Sequence, residues 1–225
     1  MIHITARDWT RCSAIRREVP MQDEHEAARH ESARNFFAWI DTAPRSSPYE
    51  AQSEIKDARV GLLGLGGTGT AVAAGLVSSG IGALHVADFD VVEESNLTRQ
   101  LLYTEHDIGL PKVDRAVERL RAMNGRAKVT GDTVKADGPD GIAALMDDCD
   151  AFVLCADEPD PDIMFWTNDE DQREFKAHSR PLTEERPNAV IAASANISGH
   201  LCALEVLLYH LSGLPTQARL SGLIP

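Results

Sequence analysis

Cysteines are few in this sequence, and they are not spaced as metal ligands. The 225 residues include four cysteines and no Cys-x-x-Cys pair. Structural zinc sites are usually built from such pairs, so we expect no zinc ion. Cys149 and Cys155 lie beside and within the apolar run AFVLC, which favours buried, unreactive thiols.

Long apolar segments and an excess of positive charge are also lacking. No apolar run approaches the roughly 18 residues of a membrane helix, and the first residues, MIHITARDWTRC, do not resemble a secretory signal. Lys and Arg number 22 against 35 Asp and Glu, so the net charge is −13. An acidic chain of this kind is a poor ligand for nucleic acid or anionic membranes. We therefore expect a cytoplasmic protein that binds neither nucleic acid nor membranes.

Hydrophobic residues make up 43% of the chain, which is enough for one domain with a substantial core. Apolar runs alternate with helical patterns through the middle of the sequence. This alternation predicts an α/β fold with a Rossmann-like, doubly wound, mainly parallel sheet and helices on both faces. We expect strands over 58–66, 83–90, 127–131 and 150–157, and helices over 67–79, 110–125 and 141–148.

The amino-terminal part of the chain reads differently from the main domain. Residues 1–56 are predicted as a helical extension, and residues 57–225 as the domain that carries the sheet. Within the extension we expect an irregular start over 1–20 and a helix over 22–41.

The last third of the chain begins with a polar segment. Residues 168–188 predict an irregular loop, after which 188–194 could form one more strand. An amphipathic helix is expected over 197–215. Its predicted apolar stripe consists of Ile197, Leu201, Leu204, Leu208 and Leu211.

A glycine-rich turn, GLGGTG, follows the first predicted strand and contains Gly64, Gly66, Gly67 and Gly69. Glycine lets the backbone approach a phosphate, and the amide groups and dipole at the start of the next helix favour an anion. At the end of the second strand, Asp88 can accept both ribose hydroxyls of a nucleotide. Two simpler interpretations stay open: a turn that serves only close packing, and a carboxylate that faces solvent.

Two short polar runs follow the second strand, SNLTRQ over 95–100 and DIGLPK over 107–112. Arg99 and Lys112 in these runs can converge on a triphosphate, Arg through its planar fork and Lys as a point charge. An NAD-dependent oxidoreductase would explain Asp88 but needs no such pair of cations. The two runs therefore favour ATP over NAD.

Taken together, GLGGTG, ADFDVVEESNLTRQ, DIGLPK and CADEP resemble the adenylation domain of the ubiquitin-activating-enzyme superfamily over residues 58–159. The resemblance implies an ATP-binding adenylation domain over 57–225, with ATP and Mg²⁺ as cofactors. It also implies attack of a C-terminal carboxylate on the α-phosphate, which gives an acyl-adenylate and pyrophosphate. By position in the family motifs, the nucleotide would be bound by the four glycines and by Asp88, Asp90, Asn96, Arg99, Gln100 and Lys112, and Mg²⁺ by Asp157.

The resemblance implies partners as well. The acceptor would be a peptide or a small ubiquitin-like carrier protein bound through its C-terminus, and the enzyme would be a homodimer. SARNFFAW resembles the Arg-Asn and aromatic pattern of peptide-modifying members. It nominates Arg34 as a catalytic residue beside Arg99, Lys112 and Asp157, although an ordinary arginine on a helix surface gives the same pattern.

One further expectation and one alternative follow from these motifs. The polar segment 168–188 stands where members of the family normally have a strand and a long crossover loop, and it contains no cysteine. We therefore expect no thioester on this chain. A noncatalytic, peptide-binding relative is the alternative class of protein, but it need not keep Arg99, Lys112 and Asp157 together.

Overall fold

The structure of the protein is a computed structural model, and it describes residues 3–6, 28–40, 48–136, 138–156 and 192–212. The strands in this part of the chain are β1 His3–Ala6, β2 Arg59–Leu63, β3 Ala83–Asp88, β4 Lys128–Thr133 and β5 Ala151–Leu154. The helices are α1 Glu31–Ile40, α2 Pro48–Asp57, α3 Gly67–Ser78, α4 Lys112–Met123, α5 Pro139–Met146 and α6 Ala192–Ser212. Two 3-10 helices, Glu94–Thr98 and Glu105–Asp107, lie between β3 and α4.

The strands form one sheet in the order β1-β5-β2-β3-β4. The four strands β5, β2, β3 and β4 are parallel, and β1 pairs antiparallel with β5 at the edge. Parallel strands joined by helices require crossover connections, which place helices on the faces of the sheet. The predicted Rossmann-like, mainly parallel α/β fold is confirmed.

Both faces of the central strands are buried, as a continuous apolar run predicts. In β2, Val60 and Leu62 face the larger core cluster, which also contains residues of α2, α3, α4 and α6. The next residue, Leu63, faces a smaller cluster on the opposite face, together with Phe152 of β5 and Ile142 of α5. The alternation of these side chains fixes which helices lie on which face.

Two expectations about strands are wrong. His3–Ala6 is a strand of the sheet, whereas residues 1–20 were expected to be irregular. The proposed strand over 188–194 is wrong at 192–194 because α6 begins at Ala192, and residues 188–191 lie outside the described part of the chain. The helix Pro48–Asp57 is an element that the sequence patterns did not predict. Residues 22–27 of the predicted first helix and residues 168–188 lie outside the described part of the chain.

The predicted apolar stripe of the last helix is wrong at two of its five residues; Leu204 is half-buried against the core, and the side chains of Leu208 and Leu211 lie outside the described part of the chain. Ile197 is 61% exposed and Leu201 is 47% exposed. The buried face consists of smaller or differently placed residues because α6 packs very closely along α3. Its members are Ala195, Gly199, Cys202, Ala203, Val206 and Leu207.

Candidate functional site

The predicted nucleotide residues gather at the carboxyl ends of β2, β3 and β5. Leu63 at the end of β2 pairs with Ala87 of β3 on one side and with Leu154 of β5 on the other. The helices after β2 and β3 cover one face of the sheet, and α5, before β5, covers the other. In open α/β sheets, ligands bind where the strand order reverses in this way.

Glycine is needed for different structural reasons at different positions of GLGGTG. Gly64 has a φ of +96°, a left-handed value that side chains disfavour, and a methyl group there would lie 2.5 Å from the amide nitrogen of Ala156. A methyl group on Gly69 would overlap the carbonyl oxygen of Gly64. The close approach of β2, β5 and α3 requires glycine at both positions, and the predicted contact of these two residues with the nucleotide stays a prediction.

Gly66 and Gly67 lie where the loop becomes α3. Gly66 caps the helix, and a methyl group on it would meet no atom within 4 Å. A methyl group on Gly67 would lie 3.2 Å from Cγ of Arg99 and 3.0 Å from the methyl group of Ala195. Open space at Gly66 beside the amino terminus of a 12-residue helix suits an anion such as a phosphate.

Asp88 is buried at the end of β3 and accepts two backbone hydrogen bonds. Its Oδ2 accepts from the amide of Leu65 at 2.6 Å, and its Oδ1 accepts from the amide of Asp90 at 2.8 Å. Asp88 therefore fixes the glycine loop against β3 before any ligand binds. Each carboxylate oxygen has a further lone pair, so the ribose role remains compatible with this geometry.

Tyr103 is a residue of the site that the sequence patterns did not single out. Its buried hydroxyl donates a hydrogen bond to the carbonyl oxygen of Leu65 at 3.2 Å. Burial raises the pKa of the Tyr103 hydroxyl, and the charges of Asp88, Asp107 and Asp90 raise it further. The hydroxyl thus stays protonated and, like Asp88, holds the glycine loop through the backbone of Leu65.

Lys112 is a buried cation at the first residue of α4. Its side chain is only 7% exposed, and its Nζ lies 2.8 Å from Oδ2 of Asp90, whose side chain is 47% exposed. A positive charge at the amino terminus of a helix is opposed by the helix dipole. Asp90, predicted as a nucleotide ligand, is the residue that neutralises this charge in the structure.

The remaining predicted phosphate ligands lie in or next to the 3-10 helix Glu94–Thr98. Asn96 is buried, and its Oδ1 accepts from the amide of Glu93 at 3.1 Å, so its side chain caps this helix. Gln100 is 2% exposed, and its buried Oε1 has no hydrogen-bond donor within the described part of the chain. Such an atom is costly unless a ligand or water supplies a donor.

Asp107 stabilises the turn that leads to Lys112. Its Oδ2 accepts hydrogen bonds from the amide of Thr104 at 2.7 Å and from Arg119 at 3.0 Å. Burial alone would raise the pKa of the Asp107 carboxyl. The hydrogen bonds from Thr104 and the charges of Arg119 and Arg115 outweigh burial and lower the pKa below its usual value.

Arg34 lies on α1, one turn after His30. A methyl group on Gly80, which follows the carboxyl end of α3, would touch the His30 ring, and the guanidinium of Arg29 donates to the carbonyl of Met123 at the end of α4. The helix therefore starts at the end of the sheet opposite to the glycine loop. Arg34 itself is buried, with 7% exposure.

Asp157, the predicted Mg²⁺ ligand, lies outside the described residues. Within the residues that the structure does describe, no group of three or more His, Cys, Asp or Glu is placed to hold a metal ion. Over the same residues, no helix has the length and apolar character needed to cross a membrane.

The thiols near the site are poor nucleophiles. Cys202 is buried and Cys155 is half-buried. Burial raises the pKa of the Cys155 thiol well above its usual value, and burial followed by the charge of Glu205 raises the pKa of Cys202 to about 12. A protonated thiol does not attack an acyl group efficiently.

Comparison with known proteins gives one family match. The profile of the ThiF family matches residues 41–202. The molybdopterin-synthase adenylyltransferase of Escherichia coli is 37% identical over 113 residues, which cover 50% of this chain and 45% of that protein. The sulfur carrier protein ThiS adenylyltransferase of Bacillus subtilis is 42% identical over 108 residues, 47% of this chain and 32% of that protein. The chain thus spans less than half the length of these relatives.

Two solved structures share the fold. PaaA superposes with a TM-score of 0.67 at 24% identity and covers 87% of this chain and 77% of its own. MccB of Escherichia coli, solved with ATP, superposes with a TM-score of 0.66 at 24% identity, over 81% of this chain and 63% of its own.

Proposed function

The chain belongs to the ThiF family, and we propose that it is an ATP-dependent adenylyltransferase acting on the C-terminal carboxylate of a peptide or small carrier protein. Relatives of the family are named as adenylyltransferases of sulfur carrier proteins and of molybdopterin synthase. The proposal transfers the reaction class from those proteins to this chain.

The observation that carries the proposal is the buried cation at the start of α4. Lys112 has 7% exposure and a single ion-pair partner among the described residues, and it sits at the positive end of a helix. Such a placement costs free energy in the empty protein. It is useful where the ligand is a polyanion, and the open space at Gly66 and the stem of Arg99 over Gly67 lie at the same edge of the sheet.

The proposed reaction needs charge stabilisation and positioning more than proton transfer. An oxygen of the acceptor carboxylate, already ionised at neutral pH, forms a bond to the α-phosphorus. The bond from that phosphorus to the bridging oxygen breaks, and pyrophosphate leaves with the electron pair. Arg99 and Lys112 would stabilise the negative charge on the phosphates, and Asp88 would bind the ribose.

Asp157 is proposed as the ligand of Mg²⁺, in keeping with the position of the family motif. Bound Mg²⁺ would neutralise part of the triphosphate charge. We propose that the adenylate then passes to an outside nucleophile; the raised pKa values of the Cys155 and Cys202 thiols, which keep both protonated, support this.

ATP binding and ATP–pyrophosphate exchange test the proposal. Calorimetry of the wild-type protein should show binding of ATP with Mg²⁺ and none of NAD. Exchange of labelled pyrophosphate into ATP should appear only with a true acceptor, for which peptides encoded by neighbouring reading frames are the first candidates. Lys112→Met, a near-isosteric neutral variant, should lose ATP binding while Lys128→Met, on an exposed strand position, should not.

Binding of NAD in place of ATP would overturn the proposal and favour the alternative of an NAD-dependent oxidoreductase. Binding of ATP without exchange for any acceptor, together with unchanged affinity in Lys112→Met, would favour the noncatalytic relative.

We also propose that the protein acts in the cytoplasm as a homodimer in which Arg34 serves the partner's site. The exposed pair Ile197 and Leu201, one turn apart on α6, offers an apolar surface for a second copy. Mixing Arg34→Ala subunits with Lys112→Ala subunits should restore part of the activity. A monomer by light scattering at working concentration would contradict this part of the proposal.

A further inference from the structure

The helices α3 and α6 pack in parallel through small residues. A methyl group on Gly67 would lie 3.0 Å from the methyl group of Ala195, and one on Gly75 would lie 2.9 Å from the methyl group of Ala203. Position numbers increase together along the two helices, so both run in the same direction. The amino terminus of α6 therefore lies beside the amino terminus of α3, at the glycine loop.

Arg99 lies at this junction. Its Cγ is 3.2 Å from the position of a methyl group on Gly67, the same position that Ala195 approaches from α6. The side-chain amide of Asn196, the next residue of α6, donates a hydrogen bond to the carbonyl oxygen of Arg99 at 3.3 Å. One hydrogen bond thus joins the first turn of α6 to Arg99, and Ala195 and Arg99 both lie beside Gly67.

The backbone leaves helical geometry at Arg99. Arg99 ends the 3-10 helix Glu94–Thr98 with φ −147° and ψ −17°, outside the helical region. Its amide and that of Gln100 both donate to the carbonyl of Asn96, and its guanidinium donates to the carbonyl of Ser95. The carbonyl of Arg99 points out of this local network and receives its donor from Asn196, which is 97 residues later in the chain.

We propose that Asn196 is a positioning residue of the nucleotide site, which holds the Arg99 backbone so that the guanidinium stays beside the amino terminus of α3. The inference rests on the proposed function, because it assumes that Arg99 binds the phosphates of ATP. A cation stabilises a phosphate strongly only when its position is fixed before binding. The part of the chain after the polar segment therefore contributes to the site as well as to the core.

A positioning role of Asn196 can be distinguished from a purely structural role, because a substitution in this helix can remove the hydrogen bond without weakening the helix. Asn has a lower helix propensity than Ala, so Asn196→Ala removes the hydrogen bond while favouring α6 itself. Asn196→Asp keeps the shape but cannot donate to the carbonyl of Arg99. Ser198→Ala, at an exposed position on the same turn, is the matched control.

The experiment measures ATP affinity by calorimetry in these variants, in Arg99→Ala and in the double variant Asn196→Ala/Arg99→Ala. Loss of one hydrogen bond predicts ATP binding weaker by roughly fivefold to tenfold in Asn196→Ala, with at least as large a loss in Asn196→Asp and none in Ser198→Ala. In the Arg99→Ala background, Asn196→Ala should have no further effect. Hydrogen exchange of the amides over 95–103 should rise in Asn196→Ala at an unchanged unfolding midpoint.

The outcomes separate the inference from the proposed function. Normal ATP affinity in Asn196→Ala and Asn196→Asp, with a clear loss in Arg99→Ala, would overturn the positioning role and leave the proposed function intact. An additive loss in the double variant would also overturn it, since Asn196 would then act without Arg99. Normal affinity in Arg99→Ala would contradict both.

Discussion

Replacing Asp90 by Asn tests whether this carboxylate binds the nucleotide or neutralises Lys112. In the structure, Oδ2 of Asp90 lies 2.8 Å from the Lys112 ammonium. The variant keeps the shape of the side chain and removes its charge, so Lys112 is left buried beside a neutral amide. We expect a less stable free protein that still binds ATP at least as well as the wild type.

The size of the effect follows from the exposure of the two side chains. Removing one partner of a fully buried ion pair costs about 3–5 kcal/mol, whereas an exposed pair contributes about 0–1 kcal/mol. Lys112 is 7% exposed but Asp90 is 47% exposed, so we expect an intermediate loss of about 2 kcal/mol. For a protein of this size, that corresponds to a midpoint lower by roughly 4–8 °C.

The assay is thermal unfolding with and without saturating ATP and Mg²⁺. A ligand that binds the native state raises the midpoint according to its affinity. In Asp90→Asn, the phosphates would be the ionic partners of Lys112 and would not have to displace the Asp90 carboxylate. ATP should therefore raise the midpoint of Asp90→Asn by more than that of the wild type. In a Lys112→Met background, Asp90→Asn should cost little, since the unpaired charge is absent.

Two results would refute this reasoning. An unchanged midpoint in Asp90→Asn without ATP would show that the ion pair contributes nothing to stability. Lost ATP binding with a normal fold would show that Asp90 is a direct ligand of the nucleotide or its metal, as its place in the sequence motif predicts.

Three further results are expected. Gly199→Ala should destabilise the protein by about 1–3 kcal/mol in chemical unfolding, because the added methyl group would lie 2.5 Å from the carbonyl oxygen of Thr68. Ala is favoured over Gly in helices by roughly 1 kcal/mol, so a net increase in stability would contradict the close packing of α3 and α6. The lowered pKa of Asp107 means that its stabilising effect is present above the ordinary carboxyl pKa of about 4 and is lost as pH falls through its folded value; Asp107→Asn should therefore be less stable at pH 7 and lose less stability on acidification. Since burial raises the pKa of Cys155 and Cys202, both should resist alkylation at pH 8 in the native protein, and intact mass should show no thiol-sensitive adduct during turnover.

The sheet could be predicted from sequence because its signal is local. Apolar runs such as the one around Leu62 and Leu63 are buried on both faces of a parallel strand, and helical patterns between them fix the crossovers. The stripe of the last helix could not be predicted in the same way. Leu201 is more hydrophobic than Gly199, but the short distance between α3 and α6 at this turn leaves room only for a small residue, so Gly199 is buried and Leu201 is exposed.

The sequence predicts which residues gather at the site, but it does not predict the contacts that each of them makes. A motif places Gly64 and Gly66 in one loop, yet only the neighbouring strand shows that Gly64 is required by contact with Ala156 while Gly66 faces open space. The pairing of Asp90 with Lys112 spans 22 residues and depends on how two loops meet. Tyr103 has no motif of its own, because its hydroxyl matters only through the carbonyl of Leu65.

The balance of charge at the site explains why a cation is paired before the nucleotide arrives. A net charge of −13 would by itself repel a triphosphate, so the attraction must come from buried charges that solvent screens little. A lysine buried at the start of a helix gives such an attraction, but it would destabilise the empty protein without Asp90. Under the proposed function, the phosphates would compete with Asp90 for Lys112, and the same ion pair would set both the stability of the free protein and its affinity for ATP.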